Sequence, residues 1–204
     1  MNALLAAAVL WAAPARAASP LDALVTFSAP AGLEFLSICR AAKIPCAIEL
    51  DGAVAGDPRS RKTFRVDGES VSAALSRAIN LYPGHRWRLR KGVVYVTPNT
   101  AIESSPLDRP LAKTKFVESL DTARSEFGPQ AGFCSVPRGG GGAPGAAAAR
   151  EEKKISFDVA DATSTPRAVL TGLVFRHGRA AWIVERARTA KSSIFCLDLV
   201  DYDD

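Results

Sequence analysis

Apolar and polar positions along the chain change period several times, and each change marks an element. Val25-Thr26-Phe27-Ser28 alternates as a strand, and Pro30-Ala31-Gly32 turns the chain. Leu33, Phe35, Leu36, Ile38, Cys39 and Ala42 follow at helical spacing, which predicts an amphipathic helix over 32–42 with Cys39 on its apolar face. Ile44-Pro45 ends it, Cys46–Leu50 is the next strand, and Asp51-Gly52 opens a polar loop reaching Lys62. Thr63–Val66 reads as a strand broken by Asp67-Gly68-Glu69-Ser70. Ser70 is the expected N-cap of a helix Val71–Leu81 whose stripe is Val71, Ala74, Leu75, Ala78 and Ile79. Pro83-Gly84 stops this helix. His85–Arg90 then alternates, turns at Lys91-Gly92 and returns as Val93–Val96, a hairpin. The order over residues 20–98 is β-α-β-β-α-β-β.

The second half runs through the same order. Phe116, Val117, Leu120, Ala123 and Phe127 predict a short helix ended by Gly128-Pro129, followed by a strand over Gly132–Val136. Ile155, Phe157 and Val159 alternate. Thr165 caps a helix with Pro166 in its first turn, where a missing N–H costs nothing. His177-Gly178 ends that helix, and Ala181–Val184 and Ser193–Leu197 are the last strands. Leu75 precedes Trp87 by twelve residues, and Leu170 precedes Trp182 by twelve. This spacing predicts an α+β protein of two tandem, divergent β-α-β-β-α-β-β modules, each with two helices on its own small mixed sheet. Module one takes 20–98, a linker 99–110, and module two 111–204. The Gly/Ala-rich stretch within 138–152 is then an expanded, disordered loop inside module two rather than a boundary.

Composition and charge add an address. With 48% hydrophobic and 23% charged residues in 204, the chain has ordinary globular composition, and no apolar run reaches the roughly 18 residues of a membrane span. Leu4–Ala13 is a short apolar segment followed by Ala15-Arg16-Ala17, the pattern of a signal peptide over 1–17 cleaved near Ala17. Loss of Arg16 would lower the formal charge from +5 to +4. Four cysteines, Cys39, Cys46, Cys134 and Cys196, remain in the exported chain. Their number favours disulfides, and their spacing lacks the close pairs of a zinc site. Cys39 near a helix end faces Cys46 across a short connection, while Cys134 and Cys196 fall on two strands of module two. The expected pairs are therefore Cys39–Cys46 and Cys134–Cys196, and the looser module two is expected to unfold first on reduction.

Phe27, Pro30-Ala31-Gly32-Leu33, Val66-Asp67-Gly68, Val71, Ala74-Leu75 and the hairpin Trp87–Val96 together resemble the secretin and TonB short N-terminal (STN) domain family. The resemblance covers module one well and module two loosely. It implies small, non-catalytic envelope modules that bind protein partners. The pore and barrel that accompany such domains in the family are not carried over.

Candidate chemistry is sparse. Metalloprotease, nucleophile-elbow and phosphate-loop motifs are absent from the sequence. His85 and His177 both stand at helix-end corners, where an imidazole meets the helix dipole favourably. No catalytic, cofactor or metal role is assigned. Arg86, Arg88 and Arg90 alternate with Trp87 and Leu89, so one face of that strand carries only guanidinium groups. They are either a solvated face or a docking surface for an acidic envelope partner, such as a protein of secretion or outer-membrane assembly or a polyanion. Nucleic acid and stable membrane insertion are not expected. The reading is an exported, periplasmic protein–protein interaction module. The alternative is a small exported enzyme or ligand-binding protein using the cleft between modules, which would need a pocket lined by His85 or His177 with carboxylates.

Overall fold

A computed structural model describes residues 19–51, 63–102, 105–111, 120, 123–135, 165–188 and 193–203. The expected signal peptide, the Gly/Ala-rich loop and the strand expected over 155–159 lie outside them. The first half contains β1 (Leu24–Ala29), α1 (Glu34–Ala42), β2 (Cys46–Asp51), β3 (Phe64–Ser70), α2 (Val71–Ile79), β4 (His85–Arg90) and β5 (Val93–Pro98). The second half contains β6 (Cys134–Ser135), α3 (Pro166–His177), β7 (Ala180–Arg188) and β8 (Ser193–Asp201). The class is mixed α+β, and among the described residues no helix is long and apolar enough to cross a membrane.

Local chemistry accounts for most boundaries. Lys43 ends α1 in the left-handed conformation, and Gly178 does the same for α3. The Ser70 side chain accepts from the Ala73 amide at the start of α2, and Thr165 accepts from Ala168 at the start of α3. Two expectations need correction. Asp67-Gly68 does not break β3: between Val25↔Glu69 and Phe27↔Val66 two residues of β3 oppose Thr26 alone. Gly68, at φ +64°, absorbs this bulge, and its amide donates to Thr26 Oγ1 at 2.9 Å. Nor does Gly128-Pro129 end the helical segment before β6. A π-helical turn over Ala123–Phe127 runs on into Gly128–Gln130, because proline needs no amide partner in a first turn.

The larger correction concerns the sheets. The described strands form a two-stranded antiparallel sheet, β1-β3, and one six-stranded sheet ordered β4-β5-β2-β7-β8-β6. The small sheets expected for separate modules merge through a parallel seam of β2 on β7, from Cys46↔Ala181 to Asp51↔Arg186. Each half supplies three strands in corresponding sequence: an antiparallel hairpin (β4-β5, then β7-β8) followed by a strand parallel to its second arm (β2, then β6). Because β2 and β7 are parallel, β4 runs opposite to β7, and one half is turned over relative to the other.

Burial follows that inversion. Helices α1 and α2 cover one face, where Cys46, Ile48, Leu50, Val94 and Val96 pack with Leu75 and Phe35. Helix α3 covers the opposite face, on Ala47, Val93, Trp182, Val184, Leu197 and Leu199. The seam is reinforced at both ends. Tyr202 donates its hydroxyl to the Ile44 carbonyl at 2.8 Å, while Arg40 Nε donates to the Tyr202 carbonyl at 3.1 Å. Glu49, buried in β2, pairs with Arg167 of α3, whose Nε also meets Asp108 Oδ1 at 2.8 Å. Cys39 is bonded to Cys46 and Cys134 to Cys196, each bridge inside its own half.

Candidate functional site

Strand β4 ends the six-stranded sheet, with β5 as its strand neighbour among the described residues. Arg86, Arg88 and Arg90 are exposed, whereas Trp87 and Leu89 are half-buried against the α1/α2 core. Full burial of Trp87 and Leu89 does not occur, because an edge strand has packing neighbours on one side only. The three guanidinium groups stand opposite Thr97, Tyr95 and Val93 of β5, respectively. This is the face that α3 covers farther along the sheet. Helix α3 packs on Ala47 of β2, on Val93 at the start of β5 and on the β7-β8 hairpin, and among the described residues no helix packs over the Arg86, Arg88 and Arg90 side of β4.

A groove of about 560 Å³ lies on this side, between the hairpin and α3. Arg88, Arg90 and Lys91 form one wall, Tyr95 lies on the floor, and Thr171 and Phe175 of α3 form the other wall. Phe175 is 55% exposed and reaches over the hairpin turn, so that a Cβ at Gly92 would stand 3.8 Å from its ring. The Arg88 guanidinium lies 5.8 Å from the Tyr95 ring centroid, within cation–π range. Arg167 also lines the groove but is held by Glu49 and Asp108, so the cationic character comes from the β4 side. A larger opening of about 800 Å³ is lined by Phe133, Cys134 and Phe195 among others.

Neither histidine lines these two openings. His177 ends α3 as expected, with Nε2 3.3 Å from Asp201 Oδ2. His85 does not cap a helix: it opens β4, after the turn that follows α2, and its Nε2 accepts from the Asp51 amide at 3.2 Å. Partial burial lowers the His85 pKa from 6.5, against the raising effects of nearby backbone carbonyls and of Asp51. The unfolded chain therefore takes up the proton more readily. Stability contributed by neutral His85 is complete above about pH 6.5 and is lost as pH falls through the lowered folded value. Protonation also removes the lone pair that receives the Asp51 amide. Urea titrations between pH 8 and 5 should show this acid-side decline, and His85→Gln, which keeps an acceptor without a titrating ring, should flatten it. An equally steep decline in the variant would assign it to other groups.

Among the described residues, no group of three or more His, Cys, Asp or Glu side chains could hold a metal ion. Sequence reasoning singled out the arginines but missed Tyr95, Thr171 and Phe175. Phe175 carried a signal, since it lies off the Val169, Leu170, Leu173, Val174 stripe of its helix. No family model, curated protein or solved structure matches the chain.

Proposed function

We propose that this is an exported, non-catalytic interaction protein of the cell envelope, built from two divergent STN-like units, that binds an acidic protein partner on the open β4-β5 face. The repeat reading rests on polar contacts that recur at a constant offset of 95 residues in the N-cap-to-hairpin segment. Ser70 and Thr165 are the caps. Trp87 Nε1 donates to Ser76 Oγ at 3.3 Å, and Trp182 Nε1 donates to Thr171 Oγ1 at 3.4 Å. Beyond the hairpin turns the offset grows: the Asn99 amide closes onto the Gly84 carbonyl and the Tyr202 amide onto that of Arg179, with acceptors 95 residues apart and donors 103.

One observation carries the docking reading. In this frame Arg86, Arg88 and Arg90 correspond to Ala181, Ile183 and Glu185 of β7. Ala181 is buried and Ile183 half-buried against the α1/α2 core. The corresponding surface of β4 is open and cationic. Charge of this kind steers association and sets its salt dependence. Replacing all three arginines by serine should leave the circular dichroism spectrum intact. It should also release, from the immobilised protein, the envelope proteins that wild type retains at low salt and loses at high salt. An identical retained set would reduce the arginines to a solvated face.

A second reading is favoured by the position of the groove itself. It lies between the first-half hairpin and the second-half helix, as a small-ligand site in an inter-module cleft would. Thermal stabilisation by small organic anions, abolished by Phe175→Ala, would support it over protein docking.

A further inference from the structure

We infer that the acidic partner binds β4 as an added strand, parallel to β4, with acidic side chains at alternate positions and apolar ones between. This deepens the docking reading above and rests on it. The chain's own seam supplies the geometry. β7, the counterpart of β4, has its hairpin partner β8 on one side and β2 on the other, and β2 is parallel to it over six residue pairs. The corresponding side of β4 has no strand among the described residues, so its outer backbone groups offer a template for another chain. In the seam, Cys46, Ile48 and Leu50 stand beside Ala181, Ile183 and Glu185, while Ala47 and Glu49 stand beside Trp182 and Val184. Transferred to β4, the first set faces Arg86, Arg88 and Arg90, and the second faces Trp87 and Leu89. Arginine calls for carboxylates at the first three positions, and the half-buried Trp87 and Leu89 call for apolar side chains at the other two.

A second copy of this chain is the poorer occupant. Its corresponding strand, β6, is described over Cys134–Ser135 only, and neither residue is acidic. Three guanidinium groups covered by such a strand would lose water without gaining carboxylates, a desolvation cost. The arginines therefore select against self-addition while selecting for an acidic strand.

The test uses the purified exported chain and a dye-labelled peptide in which three glutamates alternate with two valines. Saturable binding by fluorescence anisotropy is expected. Two controls are a peptide of identical composition with its glutamates consecutive and the alternating peptide N-methylated at two backbone amides. Each should bind about tenfold more weakly or worse, the loss of roughly two backbone hydrogen bonds or of the matching register. R86S/R88S/R90S should abolish binding and R86K/R88K/R90K retain it. A nitroxide at the peptide N-terminus should broaden amide resonances at the His85 end of β4, and broadening at the Arg90 end would overturn the parallel orientation. Equal binding of all three peptides would overturn strand addition while leaving electrostatic docking standing. If no acidic peptide binds, strand addition fails; the docking reading itself fails only if the serine variant also retains the wild-type set of envelope proteins.

Discussion

Alanine in place of Trp182 should cost the fold about 3–5 kcal/mol, the range for truncating a large, fully buried aromatic. Trp182 has no exposed surface, and it sits in the second strand of the seam with Ala47 beside it and α3 above. Trp87 occupies the corresponding place in β4, makes the corresponding indole hydrogen bond and is only half-buried. Its replacement by alanine should therefore cost about 1–3 kcal/mol, since less apolar area leaves water when it folds. Denaturant unfolding of the two variants measures the difference. Equal losses would mean that the sheet does not continue from β2 into β7.

Serine at both Cys134 and Cys196 should lower stability by about 4 kcal/mol, and serine at both Cys39 and Cys46 by about 2.5 kcal/mol, on loop-closure entropy alone. The difference follows from separations of 62 and 7 residues. The expectation that module two unfolds first on reduction changes with the merged sheet. β7 has β2 on one side and β8 on the other, and unfolding the second half would expose the first half's core at Ala181 and Tyr202. Both variants should show one transition, with tryptophan fluorescence and far-ultraviolet circular dichroism moving together. An earlier, separate fluorescence transition would show that the halves unfold independently.

Most of the described elements are legible from period, caps and turns, while the strand expected over 155–159 lies outside the described residues. The repeat spacing was legible because a helix laid on a hairpin fixes the distance from stripe to strand: Leu75 to Trp87, Leu170 to Trp182. The merging of the sheets is not legible from alternation, although it leaves a mark in composition. Cys46-Ala47-Ile48 and Ala180-Ala181-Trp182 are continuous apolar runs, the composition of strands covered on both faces, unlike the alternation of β4. Glu49 hid the signal in β2, because a carboxylate inside such a run looks solvent-facing until Arg167 arrives from a distant helix. The arginine face was legible from alternation alone. Its groove was not, since Tyr95 and Phe175 meet only after one half is turned over against the other.

Neither disulfide crosses the seam, so the two halves are sewn internally and joined to each other, among the described residues, by weak forces and by the chain after Pro98. Such a junction need not form within one molecule. At high concentration β7 of one chain could lie on β2 of another, giving reciprocal swapped dimers with the same seam and unchanged bridges. A cut in the connecting chain would likewise leave two cross-linked fragments with complementary edges. They would reassemble without any thiol exchange.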